Sequence, residues 1–233
     1  MARAPEQKRP VLIFHGIGTP KRAMEPGEEL FWISRAAFCD ILDRIVAMGA
    51  GAPEITFDDG NASDAAIALP ELEKRGLRAV FFLLSGRIGQ PGSLSEADVR
   101  RLAEAGHVIG LHGADHRDWR GLNVAGKQAE WRDARHRLAD LASAPVTLAA
   151  APFGLYDRGV SAALRDEGFT ALYTSDRGQA RNTRFLRPRN CIEAGMSEPA
   201  LTNALTGHVP LARHPRRALG LMRKRLLPAR RAT

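Results

Sequence analysis

Residues 55–84 read ITFDDGNASDAAIALPELEKRGLRAVFFLL, and this stretch decides the fold. Residues 55–57 form a short apolar run that stops at Asp58-Asp59-Gly60. Residues 62–75 have the pattern of a helix, and Gly76 is its expected stop. Ala79–Leu84, rich in Val and Phe, is the clearest strand in the chain. A strand, a helix and a second strand in succession predict a parallel pair with the helix packed across it.

The same rhythm continues on both sides. Residues 11–14 read as a buried strand, and residues 34–48 place Phe38, Ile41, Leu42 and Ile45 at helical spacing. Downstream, Ser95 and Asp98 resemble a capping box at the head of a helix that runs to Ala105. Residues 108–111 form a strand leading into His112, and residues 128–141 form a charged helix. A strand over 146–150 precedes Pro152-Phe153-Gly154; a helix over 158–167 stops at Gly168, and a strand follows over 170–173. From 181 to 210 the signal is weak. The expectation is a single α/β domain over residues 11–210, with a polar lead over 1–10 and a basic tail over 211–233.

Composition narrows the function classes. Hydrophobic residues make up 44% and charged residues 26% of the 233, as in ordinary globular proteins. The net charge of +8 is confined to the tail: after Glu198 there is no Asp or Glu, but there are Arg213, Arg216, Arg217, Arg223, Lys224, Arg225, Arg230 and Arg231. A uniform nucleic-acid-binding surface is not distributed like this, so no nucleic acid is expected as a partner. Residues 216–227 can form a basic helix with Leu219, Met222, Leu226 and Leu227 near one face, which suits an anionic membrane surface. No run approaches the roughly 18 apolar residues of a membrane helix, and the first ten residues lack an apolar signal. Cys39 and Cys191 form no C-x-x-C pair. The expected location is cytoplasmic, peripheral at the inner membrane face.

In parallel α/β folds the chemistry sits where strands end. Four such ends carry polar or Gly-rich groups: His15-Gly16, Asp58-Asp59-Gly60, His112-Gly113 and Pro152-Phe153-Gly154. Asp58-Asp59 ends a strand at a position where an unpaired buried charge is costly. The plainer reading is a turn, since Asp-Gly is a turn signal. Strand alternation sends adjacent side chains to opposite faces, so one carboxylate can meet a metal and the other, at a turned end, a substrate water. His112 and His116 follow a strand, and a helical turn from Ala114 would bring both imidazoles to one point. Two imidazoles and one carboxylate make a three-donor site with open positions.

Thr56-Phe57-Asp58-Asp59-Gly60 and His112-Gly113-Ala114-Asp115-His116 resemble the first two motifs of the polysaccharide deacetylase superfamily, the NodB-homology enzymes of carbohydrate esterase family four. Ala151-Pro152-Phe153-Gly154-Leu155-Tyr156-Asp157 resembles the third. The resemblance implies a distorted (β/α) barrel that hydrolyses the acetyl amides of N-acetylated sugars in a polysaccharide, oligosaccharide or lipid-linked glycan. It implies Asp59, His112 and His116 as ligands of Zn²⁺ or of Ni²⁺, Co²⁺ or Mn²⁺. It implies Asp58 as general base and the backbone N–H near Phe153 as an oxyanion donor. Residues 11–15 resemble the opening strand of the permuted branch that includes poly-N-acetylglucosamine de-N-acetylases, which assigns the general acid to His15; the alternative is a turn or capping histidine.

Many relatives carry an Arg that orients the base two residues before the Pro of the third motif; here that residue is Ala150. A substitute cation is expected in Arg187 or Arg189, paired with Asp176, with a solvated loop as the alternative. Trp119 and Tyr156 are candidates to stack on sugar rings, or to pack ordinarily at the rim. Rival readings are a small-molecule amidohydrolase on the same fold and a non-catalytic glycan- or membrane-binding member. A non-haem iron oxygenase built on His116, Asp118 and His208 fits poorly with alternating strands and helices.

Overall fold

The computed structural model describes residues 6–211, 220–222 and 224. In chain order the strands are β1 (Lys8–Phe14), β2 (Gly16–Ile17), β3 (Trp32–Ile33), β4 (Glu54–Asp59), β5 (Ala79–Leu84), β6 (Val108–Gly113), β7 (Leu148–Ala150), β8 (Ala171–Thr174), β9 (Gln179–Arg181), β10 (Leu186–Pro188) and β11 (Asn190–Cys191). The helices are α1 (Arg35–Ala47), α2 (Leu69–Lys74), α3 (Glu96–Glu104), α4 (Val124–Lys127), α5 (Ala134–Ala142), α6 (Arg158–Asp166) and α7 (Glu198–Thr206).

Among the described residues, eight strands lie side by side in the order β10-β8-β7-β6-β5-β4-β1-β11, every neighbouring pair parallel. The two edges of this sheet, β10 and β11, are separated in sequence only by Arg189. A chain that leaves one edge and enters the other within one residue requires the sheet to curl on itself. The result is a nearly closed, distorted (β/α) barrel in a single domain.

Alternation along the strands gives the barrel an inside and an outside. Val11, Val80, Phe82, Ala150, Ala171 and Tyr173 pack together in the interior. Leu12, Phe14, Ile55, Phe57, Phe81, Ile109, Leu111 and Leu172 face outward, into a larger core shared with the helices. That outer core takes Phe38, Ile41, Leu42 and Ile45 from α1, Val99 and Leu102 from α3, and Val160 and Leu164 from α6. Gly110 belongs to the interior face: a Cβ there would lie 2.5 Å from the Phe82 ring.

Several expected elements differ in detail. β1 opens at Lys8, so part of the expected polar lead joins the sheet, pairing antiparallel with β9. The helix expected over 62–75 holds a π-helical turn, Asp64–Ala68, ahead of α2. The charged helix expected over 128–141 likewise holds a π-helical turn, Gln128–Asp133, between α4 and α5. The Ser95–Asp98 capping box forms. The weak region over 181–210 contains β10, β11 and α7. The basic helix expected over 216–227 falls largely outside the described residues. No helix among the described residues is long and apolar enough to cross a membrane.

Candidate active site

The carboxyl ends of β1, β4 and β6, together with the loops after β7 and β8, surround a cavity of about 520 Å³. Its walls include His15, Asp58, Asp59, His112, His116, Phe153 and Arg189, together with Glu25, Phe31 and Arg177. Among the described residues, five non-glycine residues have positive φ, and four of them line this cavity: Asp59 (78°), His116 (54°), Phe153 (56°) and Arg177 (60°); the fifth is Ser143. Such backbone is unfavourable for side chains with a Cβ and tends to persist where the surroundings enforce it.

The Asp59 backbone corrects one expectation. Strict alternation would send Asp58 and Asp59 to opposite faces. Thr56 and Asp58 do point inward, but the left-handed turn at Asp59 brings its carboxylate back to the same side. His112 Nε2 consequently lies 3.9 Å from Asp58 Oδ2 and 3.6 Å from Asp59 Oδ1. His116 Nε2 is also 3.6 Å from Asp59 Oδ1. The two histidines meet through a bend at Gly113 (φ 107°) and a left-handed His116, not through a helical turn.

Among the described residues, Asp59, His112 and His116 form one group whose donor atoms all lie within 4.8 Å of one another. Three observations fit this set to a divalent cation. Asp59 Oδ1 is buried without a hydrogen-bond partner among the described residues, which is costly for an anionic oxygen unless a cation meets it. His112 Nδ1 donates to Ala150 O at 2.8 Å, leaving Nε2 with its lone pair facing Asp59. His116 Nδ1 lies 3.0 Å and 3.1 Å from the two Glu25 carboxylate oxygens, which frees its Nε2 in the same way. An imidazole anchored at one nitrogen and open at the other is the usual form of a metal ligand. Burial holds the His112 pKa below its ordinary value despite Asp58 and Asp59, so the ring is neutral at neutral pH.

Asp58 stands beside this set. Arg189 NH1 and NH2 donate to its two oxygens at 2.6 Å and 2.8 Å, and NH1 also reaches Thr56 Oγ1 at 3.0 Å. Burial alone would raise the Asp58 pKa; Arg189, with His112, overcomes it and draws the value down to about 2. Arg189 is itself 1% exposed, with its guanidinium over the Phe82 and Tyr173 rings, on the interior face that also holds Ala150. The small Ala150 and the incoming Arg189 thus occupy one region of the barrel.

His15 lines the cavity with its ring against Phe31, centroids 4.9 Å apart, and its buried Nδ1 finds no hydrogen-bond partner among the described residues. Phe153 is 56% exposed, and its ring covers His116 at 4.1 Å.

Four other candidates lie elsewhere. Arg187 reaches the Tyr173 hydroxyl at 2.8 Å rather than Asp58. Asp176 accepts from Tyr156 OH (2.6 Å), Thr174 Oγ1 (2.9 Å) and Lys224 Nζ (2.7 Å), and does not meet Arg189. Tyr156 is buried through that bond, and Trp119 is buried edge-on against Trp131, so neither ring is available to a sugar. The oxygenase set does not gather either: the Asp118 carboxylate is bound by Arg120, and His208 lines a separate small cavity.

Two residues of the site have no signal in the sequence. Glu25 lies on a strap between β2 and β3. Glu130, fully buried, accepts from the backbone N–H of Ala114 (3.0 Å) and Asp115 (3.2 Å) and so shapes the loop between the two histidines. A carboxylate whose partner is a distant backbone leaves no local pattern.

The sequence model described as polysaccharide deacetylase matches residues 48–172, more than half of the chain, from β4 through β7 into the start of β8. The chain belongs to the polysaccharide deacetylase family. It is therefore a hydrolase of the carbohydrate esterase type that acts on N-acetyl amide bonds. YxkH of Bacillus subtilis, which carries the name of the same family, is 24% identical over 207 residues, 83% of this chain and 74% of the relative. The fold is shared with the Streptococcus pyogenes deacetylase PplD (TM-score 0.74, 19% identity, 86% of this chain and 99% of that one). It is shared equally with BC0361, a polysaccharide deacetylase from Bacillus cereus (TM-score 0.75, 19% identity, 86% and 70%).

Proposed function

We propose that this deacetylase is metal-dependent and removes acetyl groups from N-acetylated sugars of a polysaccharide, oligosaccharide or lipid-linked glycan. Asp59, His112 and His116 hold the cation, with Zn²⁺ preferred over Ni²⁺, Co²⁺ or Mn²⁺; Asp58 is the general base and His15 the general acid. The observation that carries this reading is the buried, unpartnered Asp59 Oδ1, 3.6 Å from two imidazole nitrogens whose rings are each anchored at the other nitrogen.

When bound, the cation supplies Lewis acidity, polarising the acetyl carbonyl and making a water acidic enough to lose its proton near neutral pH. The residues of the chain do the rest. Asp58, ionised throughout the neutral range and held by Arg189, accepts the proton of the attacking water. The backbone N–H at Phe153 donates to the developing oxyanion. His15, on the adjacent strand end, gives a proton to the sugar nitrogen as the C–N bond breaks. Acetate and a free amino sugar leave. PplD was solved in complex with acetate, the product this reading assigns.

The acid-free tail after Glu198 adds a working place on the cytoplasmic face of an anionic membrane. Vesicle pelleting with and without residues 213–233 tests this part separately.

The function itself is tested by acetate release from N-acetylglucosamine oligomers, with cyclic ureides and imides as the competing substrates. Protein stripped with a chelator is expected to be inactive and to recover with Zn²⁺. Preferential turnover of the cyclic amides, or full activity after stripping, would contradict it.

A further inference from the structure

The two candidate ligand histidines are held in different ways. His112 is anchored by a backbone carbonyl of the barrel, Ala150 O. His116 has no such support: it sits in left-handed backbone beyond Gly113, outside any helix or strand. Its ring is fixed from outside the motif, by Phe153 on one face and by the Glu25 carboxylate on Nδ1. We propose that Glu25 is a positioning residue, which orients the His116 imidazole toward the cation and strengthens its hold on it. This rests on the metal reading above.

The position of Glu25 is itself determined by a chain of contacts. Arg22 Nε donates to Asn61 Oδ1 at 3.0 Å, two residues beyond Asp59. Both terminal guanidinium nitrogens of Arg22 bond the Glu28 carboxylate. Glu28 Oε2 accepts the Glu25 backbone N–H at 2.8 Å, and the Glu28 N–H returns to Glu25 O at 3.0 Å. The strap is thereby tied to the end of β4, and Glu25 is presented to His116 from a fixed backbone. Arg87 bonds the same carboxylate at Oε1. A carboxylate on the remote nitrogen of a ligand imidazole fixes its tautomer and raises its basicity as a donor; losing one typically costs 10–100-fold in metal affinity.

The test is zinc affinity of the stripped full-length protein, measured by competition with a chromophoric chelator, for wild type, Glu25→Ala, Glu25→Gln and Arg87→Met. Glu25→Ala and Arg87→Met both cut the Arg87 anchor of the strap, but only the first removes the partner of His116. Expected are a loss of about 10–100-fold in Glu25→Ala, a smaller loss in Glu25→Gln, and an affinity within about twofold of wild type in Arg87→Met. The unfolding midpoints of the metal-free proteins show whether each variant is folded. If wild type binds zinc and Glu25→Ala binds it equally well, this proposal fails alone. Equal losses in Glu25→Ala and Arg87→Met would overturn it too, since the strap and not the carboxylate would then matter. No zinc binding by wild type would remove the metal reading and this proposal together.

Discussion

Arg189 holds both carboxylate oxygens of Asp58, at 2.6 Å and 2.8 Å, from the single residue that joins the two edges of the sheet. The residue at the seam of the barrel therefore also sets the ionisation state of the candidate base. Both partners are almost fully buried, so neither can exchange the other for water.

Arg189→Met should leave Asp58 as a buried, uncompensated charge. The expected cost is about 3–5 kcal/mol of unfolding free energy, read by urea titration, together with loss of turnover. Arg189→Lys should recover part of the stability but little activity, because an ammonium does not reproduce the paired contact. A variant as stable as wild type would show that the pair is not a closure element.

Gly113→Ala places a methyl group 2.5 Å from Glu130 Oε2 in backbone at φ 107°. The loop between the two histidines must shift. A loss of about 1–3 kcal/mol in stability is expected, with weaker zinc binding in the same protein. Unchanged zinc affinity would mean that the Glu130-capped loop does not set the His112–His116 separation.

His107 gives the fold a pH dependence remote from the site. It is buried, its Nδ1 accepts the Ala79 N–H at 3.2 Å, and burial together with Arg78 holds its pKa below the ordinary value. A histidine with a depressed folded pKa contributes stability that is complete above its unfolded pKa of about 6.5 and is lost as pH falls toward the folded value. Unfolding free energy should therefore drop as pH falls below about 6.5, and less steeply in His107→Asn. His112, shifted the same way by burial, leaves a residual slope. Identical slopes in variant and parent would rule His107 out.

Phe153→Ala removes a largely exposed ring that covers His116. Stability should stay within about 0.5 kcal/mol of wild type, as for most surface changes. KM for an acetylated oligosaccharide should rise, by about 2–10-fold if the ring stacks on the sugar. An unchanged KM with reduced kcat would point to the backbone at this position instead.

The longer strands and helix caps were readable because their pattern is local: Ala79–Leu84 is the strand expected, and the Ser95 cap forms as its spacing predicts. The motif residues Asp58, Asp59, His112 and His116 were readable as a pattern, but not their geometry. Alternation misdirected Asp59, because a left-handed residue reverses it. For Trp119 and Tyr156 the sequence left stacking and ordinary packing open, because nearness to a motif in sequence is not nearness to its cavity; both rings turn into the protein. β10 and β11 were invisible, being only three and two residues long, Leu-Arg-Pro and Asn-Cys, too short for any alternation to show. Their pairing comes from closure of the sheet, which no short window contains. Arg189 was one of two equal candidates for the same reason, and only the seam separates it from Arg187. Glu25 and Glu130 act on atoms 91 and 16 residues away and carry no periodic mark.

The most direct measurement compares Asp58→Asn and His112→Ala for bound zinc and for acetate release from the same oligosaccharide. The account predicts that Asp58→Asn keeps its zinc and loses turnover, while His112→Ala loses the zinc and with it the activity. Undiminished acetate release by both variants would contradict it.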